Sequence, residues 1–225
     1  MNTGAQHRRS KGLFITLEGP EGSGKSTQIR HLALALKRAG YVVVQTREPG
    51  GTPIAEAIRD ILLRSSSREP VLSQTEALLI LAARSQHVKQ LIRPALDQGA
   101  VVLCDRFSDS TLAYQGYGRG LDRTWLMSAN SVATNGLSPE RTLLLDLPVR
   151  VGLARRRTAA GKPNRLDRES VRFHERVRRG FLSLAKQSPH RITVIDANRP
   201  AEEVRAHIQA FVLRWAAQRR ATTRQ

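Results

Sequence analysis

Five short apolar runs punctuate the chain: Leu13–Leu17, Tyr41–Thr46, Val101–Cys104, Thr142–Leu147 and Ile192–Ile195. Continuous apolar runs of this length, bounded by turn residues, read as strands buried on both faces. Between them the apolar positions recur at helical spacing. Lys25–Ala39 carries Ile29, Leu32, Ala33 and Leu36 on one face and is closed by Gly40. Ile54–Leu63, Ala77 to about Leu96, Trp125–Val132, Val149–Arg157, Ser170–Ala185 and Ala201–Ala217 also predict helices. Ser73-Gln-Thr-Glu76 has the spacing of a capping box and is expected to open the helix ahead of Ala77. Pro148 falls near the first position of the helix over 149–157. Strands alternating with helices predict an α/β domain, a five-stranded parallel sheet with helices on both faces. In such sheets ligands bind beyond the carboxyl ends of the strands. The best candidate for an inserted segment is Ala159–Arg168, where Gly161, Pro163 and Asn164 interrupt a charged stretch.

Polar chemistry sits where these strands end. The first runs into Gly19-Pro20-Glu21-Gly22-Ser23-Gly24-Lys25-Ser26, a G-x-x-x-x-G-K-S phosphate-binding loop followed by an amphipathic helix. The order has a physical reason. A strand delivers the chain to a tight turn whose backbone N–H groups converge on one anion, and the helix points its positive dipole end at the same place. Lys25 adds a point charge toward the β and γ phosphates of a nucleoside triphosphate, and the Ser26 hydroxyl suits the shell of Mg²⁺. A merely structural Gly-rich turn would leave Lys25 without a purpose. The second strand ends in Thr46-Arg47-Glu48-Pro49-Gly50-Gly51-Thr52, a stiff close-approach turn which, taken alone, reads as an ordinary β–α loop. The third ends in Asp105-Arg106-Phe107. Asp105 suits Mg²⁺ or its water shell, and Arg106 suits a bidentate phosphate contact; a buried structural ion pair is the alternative. Asp146, at the end of the fourth, is read as structural.

Composition narrows the setting. A chain of 225 residues fits one α/β domain. The single cysteine, Cys104, excludes a disulfide framework and suggests a reducing compartment. No apolar run approaches the ~18 residues of a membrane span, and the basic start of the chain has no apolar segment of a signal peptide behind it, so a cytoplasmic enzyme is expected. The net charge of +18 invites a nucleic-acid reading, but its location argues otherwise. Residues 1–12 carry +3, residues 214–225 carry +4 and residues 155–191 carry +9. The rest is nearly neutral. Two of these stretches are basic tails, at 1–12 and 216–225, and the third is an internal candidate for a polyphosphate clamp. A nucleic-acid-dependent ATPase is therefore disfavoured, and no specific nucleic-acid partner is expected.

Taken together the motifs resemble the bacterial type of the thymidylate kinase family, within the nucleoside-monophosphate kinases. The segments that carry the resemblance are Leu17–Ser26, Arg47-Glu48-Pro49-Gly50-Gly51-Thr52, Leu81-Ala82-Ala83-Arg84, Asp105-Arg106-Phe107, and Tyr114-Gln115-Gly116 with Gly118-Arg119-Gly120. The resemblance runs over about 13–215, which it implies is one kinase domain with a small mobile lid at about 155–168. It implies transfer of the ATP γ-phosphate to thymidine 5′-monophosphate with Mg²⁺, and a homodimer packed through long helices such as 77–96. By position it implies that Lys25 and the loop 19–26 hold ATP, that Ser26 and Asp105 lie at the metal, and that Glu21 faces the acceptor sugar and phosphate. Arg106 would hold the acceptor phosphate. Arg84 would bond the pyrimidine, Thr111, Tyr114, Gln115 and Arg47 would line the acceptor site, and the Tyr114 ring would exclude a ribose 2′-hydroxyl. With an acid, Glu21, in the phosphate loop, the lid would supply the catalytic arginine, and Arg156 and Arg165 are the candidates.

Two positions depart from the family pattern. Ile80, four residues before Arg84, stands where a phenylalanine often stacks on thymine; it either covers the base or packs the helix core. Asn164-Arg165 stands for the lid's usual Asp-Arg step, with Asp167 two residues further on. Deoxyuridylate and deoxycytidylate are the rival acceptors. A donor such as Arg84 disfavours cytosine, whose exocyclic amine would face it, but does not separate thymine from uracil. These differ by one methyl, worth only about 10–200-fold in an apolar pocket.

Overall fold

The computed structural model describes residues 12–63, 69–158 and 164–222. The basic tail residues Arg8, Arg9, Lys11 and Arg224, and the 159–163 part of the expected lid, lie outside the described residues.

Five strands, β1 (Leu13–Glu18), β2 (Val43–Arg47), β3 (Val101–Asp105), β4 (Arg141–Asp146) and β5 (Ile192–Asp196), form one parallel sheet in the order β2-β3-β1-β4-β5. Alternate residues of β1 feed two cores. Leu13, Ile15 and Leu17 pack with Ile29, Leu32 and Leu36 of α1 (Lys25–Arg38) and with Val204, Ile208 and Val212 of α9 (Ala201–Thr222). Phe14 points to the opposite face, against Val88, Ile92 and Phe107. Burial on both faces explains why these strands read as unbroken apolar runs.

Helices α2 (Pro53–Leu63), α6 (Arg123–Thr134), α7 (Val149–Thr158) and α8 (Val171–Gln187) follow the periodicity to within a few residues. The long helix predicted over 77–96 starts earlier and is interrupted: α3 (Ser73–His87) passes through a π-helical turn, Val88–Ile92, into α4 (Arg93–Asp97). The slip precedes Pro94, which has no N–H to return to the preceding turn. The expected capping box does not form. Leu72 is the N-cap without any side-chain bond, Ser73 is already helical, and Glu76 is turned inward to other partners. Residues 108–118, read as no element in the sequence, are helical: α5 (Ser108–Thr111) continues into a wide π-helical turn, Leu112–Gly118, that buries Tyr114 and Gln115. Its packing partner is α8, which gives the domain a third apolar cluster of Tyr114, Phe173, Val177 and Phe181.

Candidate active site

The phosphate loop joins β1 to α1 through three glycines of positive φ, at 19, 22 and 24. Gly22 shows the need most clearly: at φ 70° a Cβ would sit 2.0 Å from the Gly152 carbonyl of α7. Lys25 folds back over the loop and donates to the carbonyls of Gly19 (3.1 Å) and Pro20 (2.9 Å) and to Ser23 Oγ (3.2 Å). Burial pushes its ammonium down to about 8, and Arg106 adds to this, while Asp105, Glu21 and Glu18 pull the other way. Ser26 Oγ donates to Asp105 Oδ2 at 2.6 Å, so the two residues expected at the metal are already in contact.

Arg106, directly after β3, has φ 70°, a left-handed conformation that a residue with a side chain rarely adopts. Three contacts support the turn. The Leu17 carbonyl accepts its N–H at 3.0 Å, the Cys104 thiol lies 3.0 Å from its carbonyl, and Glu18 Oε1 accepts the next N–H, from Phe107, at 2.7 Å. Its guanidinium donates to the Gly19 carbonyl (3.0 Å), to Ser110 Oγ (3.2 Å) and to Glu21 Oε1 (2.9 Å), and lies 4.9 Å from the centre of the Tyr114 ring. Tyr114 donates its hydroxyl to the same Glu21 oxygen at 2.9 Å. Burial would raise the Glu21 carboxyl, but Arg106 and Lys25 outweigh it and hold the group down at about 2. Glu21 is thus a fixed anion and not a proton acceptor near neutral pH. Glu18 shows the opposite balance: burial and the nearby Asp109 push it up to about 8, against the bonds from Ser110 and Phe107.

A cavity of about 610 Å³, open to solvent, is lined by Glu21, Arg106 and Tyr114 together with Ile80, Arg84 and Thr111. Arg84 is 1% exposed. It donates to Glu48 Oε2 (2.7 Å), Thr111 Oγ1 (2.8 Å) and Asn130 Oδ1, with its plane over the Phe107 ring. The other Glu48 oxygen lies 2.9 Å from His87 Nδ1, and His87 Nε2 lies 2.6 Å from Thr46 Oγ1. Gly51 is required here, because a Cβ at its φ of 86° would meet the His87 ring at 2.5 Å. The β2 turn is therefore a structural part of the cavity wall and more than a connecting loop.

The structure brings Glu21, Ile80, Arg84, Arg106, Thr111, Tyr114 and Gln115 to this cavity. Arg47 is not among its lining residues. Its guanidinium pairs with Glu56 at 2.9 Å on the open side of the sheet-edge strand β2, and Arg59 lines the cavity instead, donating to the Pro49 carbonyl at 2.8 Å. The two arginines of the expected lid are both tied: Arg156 to Asp167 (2.9 Å), and Arg165 to Glu76 and to the Leu62 carbonyl. Asp146 receives a bidentate pair from Arg178 at 2.7 and 2.8 Å. Glu18, Arg59 and Asn130 carry no functional signal of their own in the sequence, because their partners come from distant elements; Glu76 reads there only as a capping residue and Glu48 only as part of the β2 turn.

A phosphate loop on a parallel sheet of this order, with an open cavity beside it lined by Arg59, Arg84 and Arg106, has the make-up of a nucleotide kinase. The comparisons name the family. The thymidylate kinase family model matches residues 17–208. The chain is 54% identical over 199 residues to a thymidylate kinase of Thermomicrobium roseum, covering 88% of this chain and 93% of that one. It is 55% identical over 195 residues to one from Geobacter sulfurreducens, covering 83% and 90%. The crystal structure of thymidylate kinase from Ehrlichia chaffeensis superposes with a TM-score of 0.72 at 34% identity, over 90% of this chain and 99% of that one. The chain belongs to the thymidylate kinase family.

Proposed function

We propose that this chain transfers the γ-phosphate of ATP to thymidine 5′-monophosphate, giving thymidine 5′-diphosphate and ADP in the synthesis of dTTP. One observation carries the reading. The Arg106 guanidinium bonds both the Gly19 carbonyl of the phosphate loop and Glu21 at the mouth of the cavity. Donor and acceptor sites therefore share one cationic wall, where the two phosphates would face each other.

The chemistry needs positioning and charge rather than a strong base. Lys25 exchanges its bonds to the loop carbonyls for bonds to the ATP phosphates. Arg106, partly buried and held protonated by Glu21, grips the acceptor phosphate. Glu21 and Tyr114 fix its angle, and the Tyr114 ring fills the space a 2′-hydroxyl would need. Arg84 and Thr111 present donors toward the pyrimidine, and Ile80 covers its face with an aliphatic surface. Ser26 and Asp105 offer hard oxygen donors at the phosphate end and so fit Mg²⁺. That ion, when bound, supplies positive charge to the phosphate oxygens. Arg156 and Arg165 are the lid candidates for charge on the transferring group, and either must first leave its carboxylate partner.

A homodimer fits the outer surface. Ile54 and Ile61 on α2, Leu78 on α3 and Met127 and Val132 on α6 are more than half exposed, and α3 packs against both α2 and α6. Among the described residues no helix is long and apolar enough to cross a membrane, and the one cysteine is a buried free thiol. Both features suit an enzyme acting in the cytoplasm.

The test is ADP release from ATP and Mg²⁺ with thymidylate, deoxyuridylate, deoxycytidylate or deoxyguanylate as acceptor. A clear preference for thymidylate is expected. Turnover of another nucleotide alone would overturn the acceptor and leave the phosphate-loop chemistry standing.

A further inference from the structure

We propose that Glu76 and Arg165 form a latch that builds the acceptor-side wall of the cavity, so that Arg165 is a positioning residue for the acceptor rather than the arginine that meets the transferring phosphoryl group. The proposal rests on the reading of the cavity as the acceptor site.

Glu76 is 1% exposed, yet it lies on a helix that runs along the cavity. Three side chains from two other parts of the chain converge on its carboxylate. Gln115 Nε2 donates at 2.7 Å, Arg119 donates through Nε at 3.3 Å and through a terminal nitrogen at 3.2 Å, and Arg165 donates through a terminal nitrogen. The Nε of Arg165 donates to the Leu62 carbonyl at the end of α2, at 3.1 Å. One guanidinium thus clasps α2, α3 and the lid segment together.

Both contacts of Arg165 adjoin wall residues. Leu63 follows Leu62, Ile80 lies one turn beyond Glu76, Gln115 lines the cavity itself, and Asn164 and Leu166 flank Arg165. The lid segment is stiff enough to transmit the contact. Asn164 Oδ1 accepts the N–H groups of Leu166 (2.8 Å) and Asp167 (3.1 Å), while Asp167 Oδ2 accepts the Asn164 N–H at 2.8 Å. This reciprocal pair gives the asparagine at 164 a structural use. A guanidinium that donates from Nε to a carbonyl and from a terminal nitrogen to a buried carboxylate is fixed in plane and direction. Such a group locates a wall well and is poorly placed to swing toward the phosphate loop. Arg119 remains on Glu76 when Arg165 is removed, so that buried charge keeps a partner and the fold is expected to survive.

Steady-state kinetics of Arg165→Met, Glu76→Gln and the double variant, with both substrates varied, test the latch. Arg165→Met is expected to raise KM for thymidylate about tenfold or more, with kcat and KM for ATP within about threefold. The double variant is expected to be no worse than the worse single one, as for two residues acting through one contact. A fall in kcat at unchanged KM for thymidylate would overturn the proposal and make Arg165 a ligand of the transferring group. Wild-type kinetics in Arg165→Met, or losses that multiply in the double variant, would also overturn it. If Glu76→Gln does not fold, the Arg165→Met result decides by the same criteria. Failure of the unsubstituted enzyme to use thymidylate would instead remove the acceptor reading on which the latch depends.

Discussion

Ser26 Oγ and Asp105 Oδ2 meet at 2.6 Å, joining the start of α1 to the end of β3 across 79 residues of sequence. The contact places one hydroxyl and one carboxylate beside the phosphate loop, as a hard divalent cation requires. Ser26→Ala and Asp105→Asn are each expected to raise the Mg²⁺ concentration for half-maximal rate, by about tenfold or more. Titration of Mg²⁺ at fixed ATP, and loss of turnover in excess chelator, check this.

Lys25 should leave a signature in pH. Its folded value is about 8 against an ordinary 10.5, because it is buried and near Arg106. Between those values the folded chain holds fewer protons than the unfolded one, so stability rises with pH across that window. Denaturant unfolding from pH 7.5 to 10.5 should show the rise, and Lys25→Met should lack it. Activity runs the other way. Only the protonated ammonium attracts phosphate, so kcat/KM for ATP is expected to fall above about pH 8.

Arg84 carries structural weight beyond the pyrimidine. It is the guanidinium partner of Glu48 in a wholly buried cluster with His87, Thr111 and Asn130. Arg84→Ala is expected to cost about 3–5 kcal/mol of stability, the range for removing one partner of a buried ion pair. Thermal unfolding in the absence of nucleotide measures it. A variant as stable as the unsubstituted chain would confine Arg84 to substrate contact.

Tyr114 separates ring from hydroxyl. The ring packs edge-on to Phe173 and Phe181 and the hydroxyl bonds Glu21. Tyr114→Phe keeps the ring and should keep discrimination against ribonucleotides, with a modest loss of rate. Tyr114→Ala should admit the ribonucleotide and also lose about 3–5 kcal/mol of stability, as for a truncated core aromatic. Competition between the deoxy and ribo forms of one acceptor tests the first, and unfolding the second.

What the chain reveals on its own follows the range of the interactions. The five strands, most of the helices and the phosphate loop were legible because each is set by residues adjacent in sequence. The inward cluster of Tyr114 with α8 was not, since a Gly-rich stretch at 112–118 looks like a turn until a distant helix packs on it. Glu76 shows the same limit sharply. Its spacing from Ser73 satisfied a local capping rule, yet Gln115, Arg119 and Arg165 claim its carboxylate in the fold. Arg47 and Arg59 make the complementary case: the arginine in the recognisable motif turns to Glu56, and the unremarked one lines the cavity.

By itself, then, the sequence determined the α/β architecture, the anion-binding loop and, through its motifs, the family. Periodicity and turn chemistry act within a few residues and need no other part of the chain. Only the tertiary structure decided which carboxylate meets which guanidinium: Glu21 with Arg106, Glu48 with Arg84, Glu76 with Arg165. Those partners lie 36 to 89 residues apart, and among many arginines on a strongly basic chain only packing and burial select the pairs.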